Sequence, residues 1–328
     1  MKNKIPKIIF WVDGNRRIGT GHLMRCLALA HELKRRINCQ TSFLMKNSRI
    51  VSREVLKHGY AIENKFPRNF ADIIITSFPS VDQAYLKEIK KYVKLLVVID
   101  DSPKTQYPAD IVVKCSCVPQ LSRHDLKSKS EFLVGLDYVI IDKEFKKASL
   151  KEKKIHPEMK SILITMGGSD VNNFTPKIME ALGGLTDIKK IVIIGPAFED
   201  IDKLKLGKDF NLKYGVSNMA ELMFSADLAI VGGGITLYEL ACVGTPGIVL
   251  CQTDYQFLEA KCFEKKGAII NLGLGRDTTK EAIASAVKSL ISNKEIRKKM
   301  SLAAKKIIDG RGAERVVDKI LSKFKNHE

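Results

Sequence analysis

A histidine and an arginine lie one helical turn apart just after the first strand that the sequence predicts. The segment runs Asp13-Gly14-Asn15-Arg16-Arg17-Ile18-Gly19-Thr20-Gly21-His22-Leu23-Met24-Arg25. His22 falls in the first turn of the helix that Gly21 opens, where the helix dipole disfavours imidazolium and holds its pKa at or below about 6.5. A neutral imidazole is the form that a general base near pH 7 needs. Arg25 shares a helix face with His22, which predicts a contact with an anionic group. The alternative is a capping histidine beside a surface arginine. We therefore predict His22 as catalytic and, as substrate-binding residues, Asp13, Gly19, Gly21 and Arg25.

Two more glycine loops follow predicted strands in the second half of the chain. One is Gly167-Gly168-Ser169-Asp170, and the other is Gly232-Gly233-Gly234-Ile235-Thr236, with Glu239 one turn into the next helix. Free N–H groups at a helix N-terminus cradle phosphate, and the Thr236 hydroxyl adds a donor. Glu239 is placed to accept hydrogen bonds from ribose hydroxyls. A single glycine turn needs no ligand, but two in one domain predict a nucleotide site. Its predicted residues are Gly167, Gly168, Ser169, Gly233, Gly234, Ile235, Thr236 and Glu239.

Strand-like and helix-like segments alternate along the chain and predict how these loops are held. Six short apolar runs in each half predict strands, with helical patterns between them. The lysine-rich, apolar-poor stretch from Lys143 to Pro157 is typical of a linker. We therefore predict an α/β fold with two doubly wound parallel-sheet domains, 1–150 and 151–328, with helices closing the second. Ligands of such sheets bind at the carboxyl ends of the strands, so a cleft between the domains is the expected site.

Composition and charge limit the classes of function. The 328 residues are 45% hydrophobic and 28% charged, with a net charge of +18, which is typical of a globular protein. The basic residues are scattered along predicted helices without a nucleic-acid motif, and the dense clusters at 146–154 and 297–299 are interpreted as solvated linker and helix surface. We predict no nucleic-acid partner, although a basic surface can attract a polyanionic small substrate or an acidic membrane.

Several motifs that would indicate a membrane, a metal or a dinucleotide cofactor are missing from the sequence. No run of about 18 apolar residues predicts a membrane span, and no signal peptide begins the sequence, so a cytoplasmic location is expected. Seven cysteines without a C-x-x-C spacing predict neither a disulfide framework nor a zinc site, and we expect no metal or cofactor. The Gly19-x-Gly21 loop departs from the dinucleotide fingerprint, because His22 and Arg25 replace its small residues. The oligomeric state does not follow from the sequence.

These loops occur in a longer series of motifs that runs nearly end to end. The series is Ile18-Gly19-x-Gly21-His22-x-Met24-Arg25-Cys26-Leu27-x-Leu29-Ala30, Val98-Ile99-Asp100-Asp101, Gly135-x-x-Tyr138 with Glu144-Phe145, Gly167-Gly168-Ser169-Asp170, Met219-Ala220-x-x-Met223, Ala226-Asp227-Leu228-Ala229-Ile230 and Asp309-Gly310-x-Gly312-Ala313-x-Arg315-Val316. In it the chain resembles the UDP-2,4-diacetamido-2,4,6-trideoxy-β-L-altropyranose hydrolases of pseudaminic acid biosynthesis. More distantly, it is similar to MurG-like glycosyltransferases of GT-B architecture.

The resemblance implies metal-free hydrolysis between sugar C1 and UDP, with inversion at C1. His22 matches the family's catalytic histidine, and the loop from Gly232 with Glu239 matches its UDP-binding segment. Asp254-Tyr255-Gln256 stands where the family has Asp-Asn-Gln, so Asp254 and Gln256 are predicted to bind substrate. Departures occur at Tyr255, at Glu239-Leu240-Ala241-Cys242 and at Thr76-Ser77-Phe78-Pro79-Ser80, and they concern the sugar. The alternatives are a GT-B glycosyltransferase of surface polysaccharide biosynthesis and a non-catalytic nucleotide-sugar-binding protein.

Overall fold

The protein is described by a computed structural model that covers residues 5–14, 19–45, 49–63, 65, 71–78, 82–120, 122–125, 127–198 and 209–326. The chain forms two compact units. The first unit comprises residues 1–18, 22–143 and 311–328. The second comprises residues 19–21 and 144–310. The short Gly19–Gly21 segment is thus grouped with the part of the chain that carries the other two glycine loops.

The first unit is built on a parallel sheet of seven strands. They are β1 (Lys7–Val12), β2 (Gln40–Leu44), β3 (Ala61–Glu63), β4 (Ile73–Ser77), β5 (Leu95–Ile99), β6 (Ile111–Lys114) and β7 (Glu131–Val134), in the order β3-β2-β1-β4-β5-β6-β7. The helices of this part of the chain are α1 (Gly21–Arg36), α2 (Arg49–Lys57) and α3 (Gln83–Lys90). The order reverses between β1 and β4, which is where doubly wound sheets bind ligands. The segments after β1 and β4 begin with Asp13 and Phe78.

The central strands are continuous apolar runs because they are covered on both faces. All five residues of β4 and of β5 are buried, as are Ile8–Val12 in β1. Strands of an all-parallel sheet carry helices on both faces, so they lack the alternation of a half-exposed strand. Ile9, Ile74 and Val98 belong to one apolar core cluster of this unit. This packing fixes the positions at which the strands end.

The second unit repeats this architecture with six parallel strands. They are β8 (Ser161–Thr165), β9 (Lys189–Ile194), β10 (Phe210–Tyr214), β11 (Leu228–Val231), β12 (Gly247–Cys251) and β13 (Ile269–Leu274), in the order β10-β9-β8-β11-β12-β13. The helices are α4 (Lys143–Ser149), α5 (Phe174–Leu182), α6 (Met219–Ser225), α7 (Ile235–Val243), α8 (Asp254–Lys265), α9 (Lys280–Ile291) and α10 (Lys294–Lys305). The order reverses between β8 and β11, and both predicted glycine loops follow these two strands. The topology therefore places the two loops side by side.

The structure differs from the predicted organisation in three places. The predicted linker begins with helix α4, which buries Phe145 and Ala148. The first sheet gains the short strand β3, which the sequence did not indicate. The last helix, α11 (Gly312–Lys325), was assigned to the second domain, but it is grouped with the first unit. Helix α11 packs against β5 and against the residues 136–138 that follow β7, and its Val316, Val317, Ile320 and Phe324 are buried.

The fold prediction is otherwise confirmed: both units are doubly wound, parallel α/β sheets. No helix among the described residues is both long enough and apolar enough to cross a membrane.

Candidate functional site

Arg25 anchors a buried polar group in the first unit. The residue is 3% exposed, and its guanidinium donates one short bond to the carboxylate of Asp101, two residues after the end of β5. Its other terminal nitrogen lies 2.9 Å from His22 Nδ1 and 3.4 Å from Ser77 Oγ. Burial opposes the charge of Arg25, but Asp101 more than compensates and raises the pKa of the guanidinium. Within the first unit Arg25 therefore pairs with Asp101, and its predicted role in substrate binding stays a prediction.

His22 is neutral in this environment. Burial is the largest cause, followed by the positive charge of Arg25, and together they lower the pKa of His22 to about 3, although Asp101 opposes the change. The direction agrees with the prediction from sequence. The cause differs, because burial and a neighbouring cation act here, whereas the helix dipole was expected to do so.

The hydrogen bonds of His22 determine where the ring proton lies. A guanidinium can only donate, so the 2.9 Å contact from Arg25 makes His22 Nδ1 an acceptor. Ser77 Oγ, at 2.9 Å, faces the same nitrogen. These contacts favour the neutral tautomer that carries its proton on Nε2. The role of His22 as a general base stays a prediction.

Gly19–Gly21 lies against the two glycine loops of the second unit. A Cβ built at Gly168 would lie 1.8 Å from Thr20 Oγ1, so no side chain fits there. A Cβ at Gly19 would lie 3.4 Å from Ser169 Oγ, and one at Gly21 would lie 3.5 Å from Ile235 Cγ1. Thr20 is 5% exposed. Three segments that are distant in the sequence therefore meet inside the second unit.

The loop after β11 opens helix α7 towards this meeting point. Gly234 is the N-cap residue, with φ 71° and ψ −143°, a conformation that glycine adopts without steric cost. No side chain of the described residues caps this end of α7. A Cβ at Gly167 would lie 3.2 Å from Thr236 Oγ1, which places the hydroxyl beside the loop after β8. An uncapped helix N-terminus flanked by glycine loops has the geometry of an anion cradle.

Gln252, directly after β12, and Gln256, in the first turn of α8, lie beside this cradle. Gln252 Nε2 donates to Met166 O at 3.0 Å, and its backbone N–H donates to Gln256 Oε1 at 2.8 Å. A Cβ at Gly233 would lie 2.6 Å from Gln256 Cβ. The sequence predicted Gln256 as a substrate-binding residue, but it did not predict a role for Gln252. The position of Gln252 directly after a buried strand could have indicated such a role, because ligands bind at the carboxyl ends of parallel strands.

The remaining predicted residues are more dispersed. Asp13 accepts a hydrogen bond from the Gly14 N–H at 2.8 Å. Asp254 is 79% exposed in its side chain and pairs with Arg276 at 3.6 Å. Glu239 lies one turn into α7 and is half-buried. The described residues contain no group of three or more His, Cys, Asp or Glu able to hold a metal ion.

Several relatives match most of this chain. It is 27% identical over 326 residues to the spore coat polysaccharide biosynthesis protein SpsG of Bacillus subtilis, covering 93% of this chain and 95% of that protein. It is 25% identical to a UDP-2,4-diacetamido-2,4,6-trideoxy-β-L-altropyranose hydrolase of Campylobacter jejuni, covering 80% and 97% respectively. An uncharacterized protein of Methanocaldococcus jannaschii is 30% identical over 282 residues, which are 79% of this chain; the chain spans 57% of that longer relative.

Solved structures share the fold. MurG of Acinetobacter baumannii matches with a TM-score of 0.64 at 15% identity, covering 97% of this chain and all of that one. A UDP-GlcNAc 2-epimerase from Neisseria meningitidis, bound to UDP-GlcNAc, matches with a TM-score of 0.60 at 13% identity, covering 96% of this chain and 100% of that chain. At this identity the likeness establishes the fold, and it confirms the predicted GT-B α/β class.

The family follows from the second half of the sequence. Residues 145–316, just over half of the chain, match the family described as the glycosyltransferase family 28 C-terminal domain. The match includes both glycine loops, helix α7, Gln252 and Gln256. The chain therefore belongs to the glycosyltransferase family 28 C-terminal domain family.

Proposed function

We propose that the protein is a nucleotide-sugar hydrolase that releases UDP from a UDP-diacetamido-trideoxy-hexose in nonulosonic acid or surface glycan biosynthesis. Water attacks C1, and the configuration at C1 inverts. The observation that carries the proposal is the meeting of Gly19–Gly21 with the two glycine loops beside the uncapped start of α7. The names of the Campylobacter and Bacillus relatives support the substrate class and the pathway.

The nucleotide half of the substrate fits the second unit. The diphosphate carries negative charge that backbone N–H groups and the Thr236 hydroxyl can meet at the start of α7. We expect Glu239, one turn further on in α7, to accept hydrogen bonds from the ribose hydroxyls. The same donors stabilise the charge that builds on the departing phosphate. The cradle thus serves both binding and leaving-group departure.

A glycosyltransferase is the second candidate, because the family is described as one of glycosyltransferases. A transferase replaces the attacking water with a hydroxyl of a sugar or a lipid-linked acceptor. Hydrolysis is favoured here by the hydrolase relative, 97% of whose length this chain covers.

The deciding experiment incubates the protein with a panel of UDP-diacetamido sugars without any acceptor. We expect UDP release, followed by ³¹P NMR, and a single inverted anomer in the first ¹H spectra. Release of UDP only after sugar or lipid-linked acceptors are added would establish the transferase instead. Binding of UDP without turnover under either condition would indicate a non-catalytic binding protein.

UDP binding is expected to raise the melting temperature without added divalent metal. Glu239→Gln removes a charged acceptor for the ribose and should weaken UDP affinity by about tenfold, the scale of a charged hydrogen bond. Calorimetric titration measures this, and Glu264→Gln, on the exposed face of α8, is the matched control. Equal UDP affinity of the Glu239 and Glu264 variants would remove Glu239 from the site. Loss of UDP binding on addition of a chelator would contradict a metal-free cradle.

A further inference from the structure

We infer that Gln252 positions the amide of Gln256 at the start of α7, and that Gln256 Nε2 there donates a hydrogen bond to an oxygen of the bound diphosphate. The inference rests on the proposed function for its ligand. Its account of the two glutamines rests on the geometry of the second unit alone, to which every residue in it belongs. Gln256 is a binding residue in this scheme, and Gln252 is a positioning residue, because it acts through Gln256.

The side chain of Gln252 contacts both glycine loops that follow β8 and β11. Its Nε2 donates to Met166 O at 3.0 Å and to Ser169 O at 3.4 Å, so one amide spans the loop after β8. A Cβ built at Gly232, the first residue after β11, would lie 3.4 Å from the same Nε2. Carbonyl oxygens can only accept, so the nitrogen of this amide must face the loop after β8. The side chain therefore fixes residue 252 relative to both loops.

The backbone of Gln252 links this placement to helix α8. Its N–H donates to Gln256 Oε1 at 2.8 Å, and its carbonyl oxygen accepts a bond of 3.2 Å from Asn172 Nδ2. The Gln256 N–H is held as well, because it donates to Thr253 Oγ1 at 3.3 Å, the cap of α8. Gln252 is thus bonded to the segment after β8 on one side and to the first turn of α8 on the other.

These bonds define the direction of the Gln256 amide. A backbone N–H can only donate, so the atom that faces Gln252 N must be the oxygen of this amide. Its nitrogen lies 3.5 Å from a Cβ built at Gly234, the N-cap residue of α7. Within the part of the chain that the structure describes, no residue accepts a hydrogen bond from this nitrogen. The N–H donors of a half-buried side chain are therefore available beside the uncapped start of α7.

A diphosphate suits this position because its ionised oxygens accept hydrogen bonds. The backbone N–H groups at the start of α7 attract an anion, and the Gln256 amide adds a side-chain donor from a second helix at the same place. A hydrogen bond to an ionised acceptor is stronger than one between neutral groups, so a phosphate oxygen is favoured over a sugar hydroxyl here.

The first test is NMR of the full-length protein labelled with ¹⁵N-glutamine, before any ligand is added. The chain has six glutamines, and Gln252 and Gln256 are assigned by their absence from the spectra of Gln252→Met and Gln256→Met. We expect the side-chain amide protons of Gln252 to exchange with water at least about tenfold more slowly than those of Gln40, which is exposed at the start of β2. Equal exchange rates at Gln252 and Gln40 would overturn the positioning role.

Adding UDP to the same sample tests the acceptor without turnover. We expect the side-chain amide signals of Gln256 to shift with UDP and to stay unchanged with uridine, which lacks the diphosphate. Binding of UDP with unmoved Gln256 signals would overturn the inference. Failure of UDP to bind at all would instead contradict the proposed function, and the exchange rate at Gln252 in the free protein would still decide whether its amide is held against the loop.

Gln256→Glu separates the donor from the packing of the side chain. The variant keeps an oxygen that can accept from the Gln252 N–H, but its second carboxylate oxygen repels phosphate where the parent has a donor. We expect UDP affinity to fall by about 10²-fold or more in calorimetric titration, with the melting temperature within about 2 °C of the parent. Gln40→Glu adds the same charge at an exposed position of β2 and is the matched control. Equal UDP affinity of the two folded variants would remove Gln256 from the diphosphate site.

Gln252→Met tests the positioning role. Methionine has a similar volume but no donor for the carbonyls of the loop after β8, so residue 252 and the amide that it orients are held less firmly. We expect UDP affinity to fall by about three- to tenfold, uridine affinity to stay the same, and the UDP-induced shift of the Gln256 signals to become smaller. A merely structural role would lower the melting temperature and leave UDP affinity and this shift at their parental values. That outcome would overturn the assignment of Gln252.

Discussion

Gly195→Ala is expected to weaken UDP binding by about tenfold or more, although Gly195 belongs to none of the predicted glycine motifs. A Cβ at this position would lie 2.3 Å from Gly167 O and 2.5 Å from Gly168 O. Both are backbone atoms, so no side-chain rotation relieves the clash, and the loop after β8 must move. The Ala197 N–H, which donates to Gly168 O at 2.9 Å, would be displaced with it. Overpacking of this kind costs about 1–3 kcal/mol, which is the scale of a tenfold change in affinity.

Gly184→Ala is the matched control, because a Cβ at Gly184 has no heavy atom within 4 Å. Calorimetric titration with UDP and thermal unfolding of both variants measure the two effects separately. We expect Gly184→Ala to match the parent in both. A folded Gly195→Ala variant that binds UDP with parental affinity would contradict the assignment of the loop after β8 to the nucleotide cradle.

Much of the fold was predictable from short apolar runs with polar ends. The predicted bounds of Lys7–Val12, Leu95–Ile99, Ile111–Lys114 and Leu228–Val231 coincide with β1, β5, β6 and β11. These strands are rich in Val and Ile and are covered on both faces, so local composition and burial agree. Where composition and burial agree, the sequence alone predicts the bounds of a strand.

The linker and the last helix were not predictable because tertiary packing determines them. Helix α4 buries only Phe145 and Ala148, and its lysines dominate the local pattern. Helix α11 is amphipathic by pattern, but its pattern does not say which sheet it covers. Gly312 at its start approaches Val139 so closely that a Cβ would lie 2.0 Å from the carbonyl oxygen. That contact joins residues far apart in the sequence.

The candidate site was only half visible in the sequence for the same reason. The glycine loops, His22 and Arg25 form local motifs, and the structure places the loops together in the second unit. Ser77 ends β4 and Asp101 follows β5, and their contacts with His22 and Arg25 need the β1-β4-β5 order of the sheet. The state of the His22 ring depends on those contacts, so its chemistry could not be derived from spacing alone.

Arg297 is the clearest correction to the sequence interpretation, which placed it on a solvated basic face. It is fully buried, whereas its neighbours Lys298 and Lys299 are exposed. Its Nε donates to Leu290 O at 2.9 Å, at the C-terminal end of α9. A terminal nitrogen donates to His156 O and Pro157 O, also at 2.9 Å. One guanidinium thus satisfies carbonyls of a helix end and of the segment that leads into β8.

Arg297→Met is therefore expected to destabilise the protein by about 2–4 kcal/mol and to lower the melting temperature by about 5 °C or more. Methionine fills similar space, but the backbone carbonyls of Leu290, His156 and Pro157 lose the hydrogen bonds that Arg297 donates. Lys298→Met removes the same charge from an exposed position and should change the melting temperature by less than about 1 °C. Arg297→Lys keeps the charge without the planar fork and should fall between the two. Thermal unfolding of all three variants measures this order. Equal melting temperatures for Arg297→Met and Lys298→Met would show that charge, and not the bonded carbonyls, sets the contribution of Arg297.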